Sequence, residues 1–375
     1  MKRFSNPIYV TRPYLPCIEE FKKGLEEIWA NRWLTNNGPM LQKFQTELSE
    51  YLGEPETNIA LFTNGTLALE LGYYVMGLSG GDVITTPFTF VATSHALKRI
   101  GANPVFADID PETMCLSPEA AEKLITPRTK AIVPVHVYGN ICDVEGFERL
   151  RDKYGVKIIY DAAHAFGIFR RVKHLNQVED KSIGSYGDMS MFSFHPTKLF
   201  HSCEGGMLVF KDANIQEKLF ELRNFAIHGE ISCTDVGSNA KMNELQALMG
   251  LVCLKNINAI LDYRKKIYAV YEKAFAGCDA VKLVSHSQNK AYIPVLFKDF
   301  ETRERVYAEL KYKCNIFARR YFYPLLTDFA PYIYAKGSCE IAEDIAARIL
   351  TLPTYYGLPF DDAVMIAEDV KEIAL

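Results

Sequence analysis

The chain has 375 residues, 49% hydrophobic and 23% charged, which is apolar material for two cores and too much charge for a membrane bundle. Forty-two Lys and Arg against 46 Asp and Glu leave a formal charge of −4, which argues against a nucleic-acid protein with a dominant basic surface and leaves room for a local basic pocket. The longest stretch without Asp, Glu, Lys or Arg, Val83 to Leu97, is broken by Pro87 and several hydroxyl residues, so no membrane span is expected, and the opening MKRFSNPIYVTRP does not read as a signal peptide.

Two amphipathic helices are predicted first, Ile18–Trp29 and Pro39–Leu52, separated by the polar turn WLTNNGP. Short β-branched runs then alternate with helical spacing. Strands are expected at Asn58–Thr63, Val83–Thr86, Pro104–Asp108, Ala131–His136, Lys157–Asp161, Met189–Phe194 and Met207–Phe210. Helices are expected at Thr66–Met76, Ser117–Leu124 and Val144–Tyr154. The alternation implies an α/β fold with a seven-stranded, mostly parallel sheet covered on both faces. The last two strands are joined by a loop, His195–Gly205, with no room for an ordinary helix, and chemistry is expected there.

From Met242 to Phe275 the spacing predicts one long helix linking two domains. The remainder reads as a smaller α+β unit, with strands near Tyr292–Phe297 and Asn315–Phe317. Its helices are expected near Glu301–Tyr312, Ala342–Ile349 and Asp361–Ile373. The expected division is 1–255 and 256–375. Nine cysteines without a CxxC pair give no metal-ribbon spacing, and a chain with large cores needs no disulfide frame. Reduced thiols and a cytoplasmic location are expected.

Four segments carry candidate chemistry. Lys198, in SFHPTK beyond a buried strand, is poorly solvated, which lowers its amine pKa and suits Schiff-base formation; a lone loop lysine is more commonly a surface residue. Asp161, at the carboxyl end of a strand in YDAAHAFG, points to the crevice where α/β proteins bind ligands and can hold a cationic ring nitrogen, with His164 on the same segment. The same aspartate also fits a helix N-cap. Asn64–Gly65–Thr66 forms a strand–turn–helix junction whose free N–H groups suit a phosphate, a weak signal alone. Phe88 and Phe90 follow the second strand, where an aromatic stacks on a flat ring or packs in the core.

A phosphate turn, a stacking aromatic, a ring-nitrogen aspartate and a Schiff-base lysine at the ends of successive strands meet the needs of pyridoxal phosphate. In order and wording the chain resembles the DegT/DnrJ/EryC1/StrS sugar aminotransferases, pyridoxal-phosphate enzymes of the aspartate-aminotransferase fold (fold type I). The likeness runs through WLTNNGP, TNGTLAL, TPFTFVAT, PVFADIDPET, PVHVYGN, YDAAHAFG, SFHPTKLFHSCEGG, NAKMNELQA and RRYFYPL. The SFHPTKLFHSCEGG wording is most similar to the branch that aminates dTDP-4-keto-6-deoxyglucose.

The resemblance implies Lys198 as Schiff-base lysine and proton shuttle, Asp161 on the pyridine nitrogen and His164 near the ring 3-oxygen. It implies Phe90 stacked on the ring and Gly65, Thr66 and Ser193 on the phosphate. Asn239 is implied to reach the phosphate of the neighbouring subunit's cofactor, making a homodimer with shared active sites functional. The cofactor, pyridoxal 5'-phosphate, would pass through pyridoxamine phosphate. Relatives that remove a sugar hydroxyl carry histidine in place of the lysine, so Lys198 favours transamination.

The expected reaction moves an amino group from glutamate to C4 of a nucleotide-linked 4-keto-6-deoxyhexose, for O-antigen or other glycan synthesis. A 3-keto-sugar aminotransferase and a non-catalytic member of the fold are the rivals, and the histidines show no HExxH spacing for a metal enzyme. Arg319, Arg320 and Lys241 are candidates for pyrophosphate contact or solvated surface cations. Phe169–Ser182 and SHSQNKAYIP match nothing in the resemblance.

Overall fold

The structure, a computed structural model, describes residues 3–174 and 177–375. In chain order the first part runs β1 (Ile8–Tyr9), α1 (Ile18–Asn31), α2 (Pro39–Leu52), β2 (Ile59–Phe62), α3 (Gly65–Val75), β3 (Asp82–Thr85), α4 (Ala92–Arg99), β4 (Asn103–Phe106), α5 (Pro118–Glu122), β5 (Thr129–Ile132), α6 (Val144–Tyr154), β6 (Lys157–Asp161), the β7–β8 hairpin (Phe169–His174 and Gln177–Ser182), β9 (Met189–Ser193) and β10 (Gly206–Phe210). Seven strands form one sheet in the order β2-β10-β9-β6-β5-β3-β4. β10 alone runs antiparallel, against both β2 and β9; the pairs from β9 to β4 are parallel. The strands are short, and β2 and β10 are buried along their whole length, as a sheet with helices on both faces requires.

The second part runs α7 (Ile215–Leu222), β11 (Ile227–His228), β12 (Ser232–Cys233), α8 (Glu244–Leu254), α9 (Ile257–Phe275), β13 (Lys282–Leu283), β14 (Ile293–Leu296), α10 (Phe300–Glu309), β15 (Ile316–Phe317), α11 (Glu340–Arg348), β16 (Ile349–Leu352) and α12 (Phe360–Ala374). Strands β13, β14 and β16 make a small antiparallel sheet, packed in a second core with Tyr271 of α9, Leu310 after α10, and Ile366 and Val370 of α12.

Helix α2 buries Met40, Leu41, Phe44, Leu48 and Leu52, the stripe expected at helical spacing, between Pro39 at its start and Gly53, left-handed at φ 69°, at its end. Its first N–H groups are satisfied by α8, where the Glu244 carboxylate accepts from Met40 N at 2.8 Å and Leu41 N at 3.0 Å. Gly250 of α8 makes room for Phe44, whose ring a Cβ there would meet at 2.4 Å.

Several predicted elements differ. The long helix expected from Met242 to Phe275 is two helices, α8 and α9, bent by 61°. Asn256 sits at the break, its side chain turned back to Val252 O at 3.0 Å, so it competes with the helical ladder. The helix expected to end at Ile349 stops at Arg348, and the buried run ILTL forms β16. Helix α4, helix α7 and the β7–β8 hairpin were not predicted; Leu175 and Asn176, within the segment that matched nothing, lie outside the described residues.

The strand expected at Asn315–Phe317 pairs with β1, in parallel, Ile8 opposite Ile316. This N-terminal strap puts Phe4 and Ile8 into the second core. It then crosses to the large sheet's carboxyl edge, where Thr11 Oγ donates to Thr197 O at 3.3 Å and Tyr14 O faces His201 Nε2 at 2.6 Å. Among the described residues no single helix is long and apolar enough to cross a membrane.

Candidate active site

The carboxyl ends of β2, β6 and β9 and the start of β10 surround one cavity of about 250 Å³. Its lining includes Gly65, Thr66, Phe90, Asp161, His164, Ser193 and Lys198, together with His195, Glu204, Arg319 and Tyr321. Seven of the eight site residues expected from sequence thus meet in one place. The eighth, Asn239, does not line the cavity of its own chain and pairs with Asn224 through an isolated bridge.

One end is a backbone turn. Asn64 caps α3 by accepting from Leu67 N at 2.9 Å, which leaves the N–H groups of the first helical turn directed outward. A Cβ on Gly65 would meet Met191 Sδ and Ser193 Cβ at 3.2 Å, so glycine keeps this cradle open. Gly206 of β10 packs behind it, where a Cβ would lie 2.5 Å from Asn64 O and 2.7 Å from Gly65 N. The hydroxyls of Thr66 and Ser193 beside the turn make no hydrogen bond to the described residues, as an anion site requires.

At the other end Asp161 is buried. Thr93 Oγ donates to its Oδ2 at 2.7 Å and Ala163 N to its Oδ1 at 3.1 Å. Burial pushes the carboxyl above its ordinary value, while these two bonds and the Lys198 charge pull it back. Burial lowers the Lys198 amine, opposed by Tyr321 and Asp161 and aided by the Arg319 charge. His164 is buried too, its Nδ1 accepting from Tyr138 N at 3.0 Å, so the proton of the neutral ring sits on Nε2. Burial, with the Lys198 charge, drives its pKa well below the ordinary range.

The aromatic pair after β3 divides by role. Phe88 is wholly buried against Tyr138 and Phe322, whereas Phe90 is 56% exposed on the cavity wall. His195 is oriented by Thr197, whose N–H donates to Nδ1 at 3.1 Å, leaving Nε2 3.6 Å from Glu204 Oε1. Of the three cations proposed from sequence, only Arg319 lines the cavity. Arg320 is tied to Glu304 at 2.5 Å over the Tyr307 ring, and Lys241 donates to Asn224 Oδ1 at 2.6 Å.

Thr93, Tyr138, Glu204 and Tyr321 were not found from sequence. Thr93 sits in TTPFTFVATSHA, whose polar residues obscure α4; Glu204 is inside the quoted SFHPTKLFHSCEGG, where only the lysine, histidine and serine carry an obvious role. Among the described residues no group of three or more His, Cys, Asp or Glu is arranged to hold a metal ion.

Comparison with known proteins places this geometry. Residues 17–371 match the DegT/DnrJ/EryC1/StrS aminotransferase family. The dTDP-4-amino-4,6-dideoxy-D-glucose transaminase of Shigella dysenteriae is 41% identical over 98% of this chain and 100% of its own length. The Escherichia coli protein of that name is 39% identical over 96% of this chain and 97% of its own. Among solved structures, DesI, determined in the presence of its TDP-sugar product, superposes with a TM-score of 0.90 at 32% identity, over 100% of this chain and 94% of that one. Helicobacter pylori PseC, an aminotransferase of pseudaminic-acid biosynthesis, gives 0.87 at 27% identity over 98% and 99%. With the match running nearly end to end, the chain belongs to the DegT/DnrJ/EryC1/StrS aminotransferase family.

Proposed function

We propose that the protein is a pyridoxal-phosphate-dependent aminotransferase that moves an amino group from glutamate to C4 of dTDP-4-keto-6-deoxyglucose. The observation that carries the reading is that Lys198 and Asp161 line one cavity together with the Gly65–Thr66 turn. The donor set fits the cofactor: a cradle that a Cβ would fill, two free hydroxyls for a phosphate, an exposed aromatic face and a buried carboxylate for a ring nitrogen. When bound, the cofactor supplies an electron sink for the carbanion formed at the donor's α-carbon.

The chain's own residues do the rest. Gly65, Thr66 and Ser193 hold the phosphate, with Asn239 of a second copy completing it in a homodimer. Phe90 would cover one ring face, and the Nε2–H of His164 would serve the ring oxygen. Asp161, anchored by Thr93 and Ala163, holds the ring nitrogen protonated. Lys198, its basicity lowered by burial, would hold the cofactor and serve as the base at the donor's α-carbon. The activities for which the two relatives are named support the sugar and the carbon aminated; a cytoplasmic place in O-antigen or other glycan synthesis follows from the same reading.

The test is direct. Purified protein supplied with pyridoxal phosphate is expected to gain a visible absorbance band that borohydride fixes onto Lys198. With glutamate and dTDP-4-keto-6-deoxyglucose it is expected to yield a 4-amino-4,6-dideoxyhexose, whose aminated carbon NMR reads. No band, or amination at C3, contradicts the proposal.

A further inference from the structure

We propose that Asn289 is a positioning residue for His164, holding that segment so that the imidazole Nε2–H is presented to the ring oxygen of the cofactor. The inference rests on the pyridoxal-phosphate reading of the cavity. Asn289 belongs to SHSQNKAYIP, the stretch leading into β14 that matched nothing in the sequence resemblance.

Asn289 is 1% exposed. Its Nδ2 donates to His164 O at 2.9 Å and to Phe166 O at 3.0 Å, and its Oδ1 accepts from Ala291 N at 3.1 Å. Two carbonyls on one side and an N–H on the other allow only one orientation of the amide. His164 is thereby gripped twice. Tyr138 N donates to its Nδ1 at 3.0 Å, which leaves the proton on Nε2, while Asn289 takes the carbonyls of His164 and Phe166 and fixes the backbone from which the ring projects.

The backbone opposite is shaped for this grip. Tyr138 adopts φ 58°, a left-handed conformation uncommon for a bulky residue. A Cβ on neighbouring Gly139 would meet Asn289 Oδ1 at 2.6 Å and His164 O at 3.0 Å, so glycine admits the amide. The stretch that carries Asn289 is anchored in turn. Arg264 Nη1 of α9 donates to Ala291 O at 2.8 Å, Tyr268 OH to Ser285 O at 3.0 Å, and His286 N to Asn140 Oδ1 at 2.9 Å. Tyr292, three residues on, sets its ring 4.5 Å from the imidazole centre. Every partner of Asn289 named here lies within the same chain, so the grip is complete before a second copy adds anything to the cavity.

A hydrogen bond donated to the ring oxygen stabilises its anionic form, so the bound cofactor gives up its proton at a lower pH than it would without that donor. The visible band reports this loss. The experiment titrates that band in cofactor-loaded wild type, Asn289→Ala, His164→Phe and the double variant, folding being checked by circular dichroism. H164F is expected to move the titration up by about one pH unit or more, and N289A in the same direction by about half as much or more. In the double variant Asn289→Ala is expected to add nothing to His164→Phe, because it acts through that ring. Should N289A fail to fold or to hold the cofactor, Asn289→Ser, which leaves a smaller gap, takes its place in the same comparison. A titration of the Asn289 variant equal to wild type beside a shifted H164F overturns the proposal. So does a shift that is undiminished in the H164F background, which marks Asn289 as support for the fold alone. An H164F titration equal to wild type removes His164 from the ring oxygen, and with it the reading on which the proposal stands.

Discussion

Thr93 Oγ lies 2.7 Å from Asp161 Oδ2, a bond from the first turn of α4 to the last residue of β6, both residues buried. A buried carboxylate unaided takes up a proton, and Thr93 is one of the groups that resist this. Thr93→Val keeps the shape and removes the donor. The Asp161 pKa, already raised by burial, is then expected to rise further, so the acid limb of the pH–rate profile moves to higher pH. A hydrogen bond to a charged group accounts for about tenfold in kcat or more. An unmoved acid limb counts against Asp161 as the group that must be ionised.

Lys198→Met is expected to reduce turnover on the order of 10³-fold, measured as product formed under saturating donor and acceptor. The same variant has a stability signature. Burial depresses the amine pKa in the folded chain, so the unfolded chain binds more protons, and the stability of cofactor-free protein rises with pH from the folded value up to the ordinary lysine value. Thermal melts of cofactor-free K198M across that window are expected to lack this rise and to sit above wild type at its lower end.

Gly206→Ala places a methyl 2.5 Å from Asn64 O and 2.7 Å from Gly65 N. Backbone lies on the receiving side, so the strand or the turn must move. A loss of about 1–3 kcal/mol is expected in denaturant unfolding, together with weaker binding of pyridoxal phosphate than of pyridoxal, relative to wild type. Preserved preference for the phosphorylated form places the phosphate elsewhere.

Ile8 of the N-terminal strap is buried against the second core opposite Ile316. Ile8→Ala is expected to cost about 2–5 kcal/mol, read as a lower urea midpoint. A change within measurement error indicates a strap that adds nothing to folding.

How far the sequence carried depended on whether a residue's role was local. All seven strands of the large sheet were legible because each is a short apolar run between turn residues. The break between α8 and α9 was hidden, since Lys255 and Asn256 interrupt a pattern that stays apolar on either side. Lys198, Asp161 and the Gly65 turn sit in recognisable wording, and the cavity gathers them. The fates of Arg319 and Arg320 were not legible: adjacent residues after a strand point to opposite sides, and only tertiary packing sets Glu304 beside one of them. Thr93 was missed for the same reason, its partner being distant in sequence.

Because β10 alone runs against its neighbours, Ser193 and Gly206 lie opposite each other in register, and just beyond them Phe194 N donates to Gly205 O at 2.9 Å. Lys198 therefore rides on a segment closed at its base, with both ends sewn to adjacent strands. Such a segment tolerates changes of side chain along its arc, but one residue inserted or removed must be taken up inside the loop itself, where the lysine has nowhere to retreat. On the proposed reading of Lys198, the length of this segment matters as much as the amine it carries.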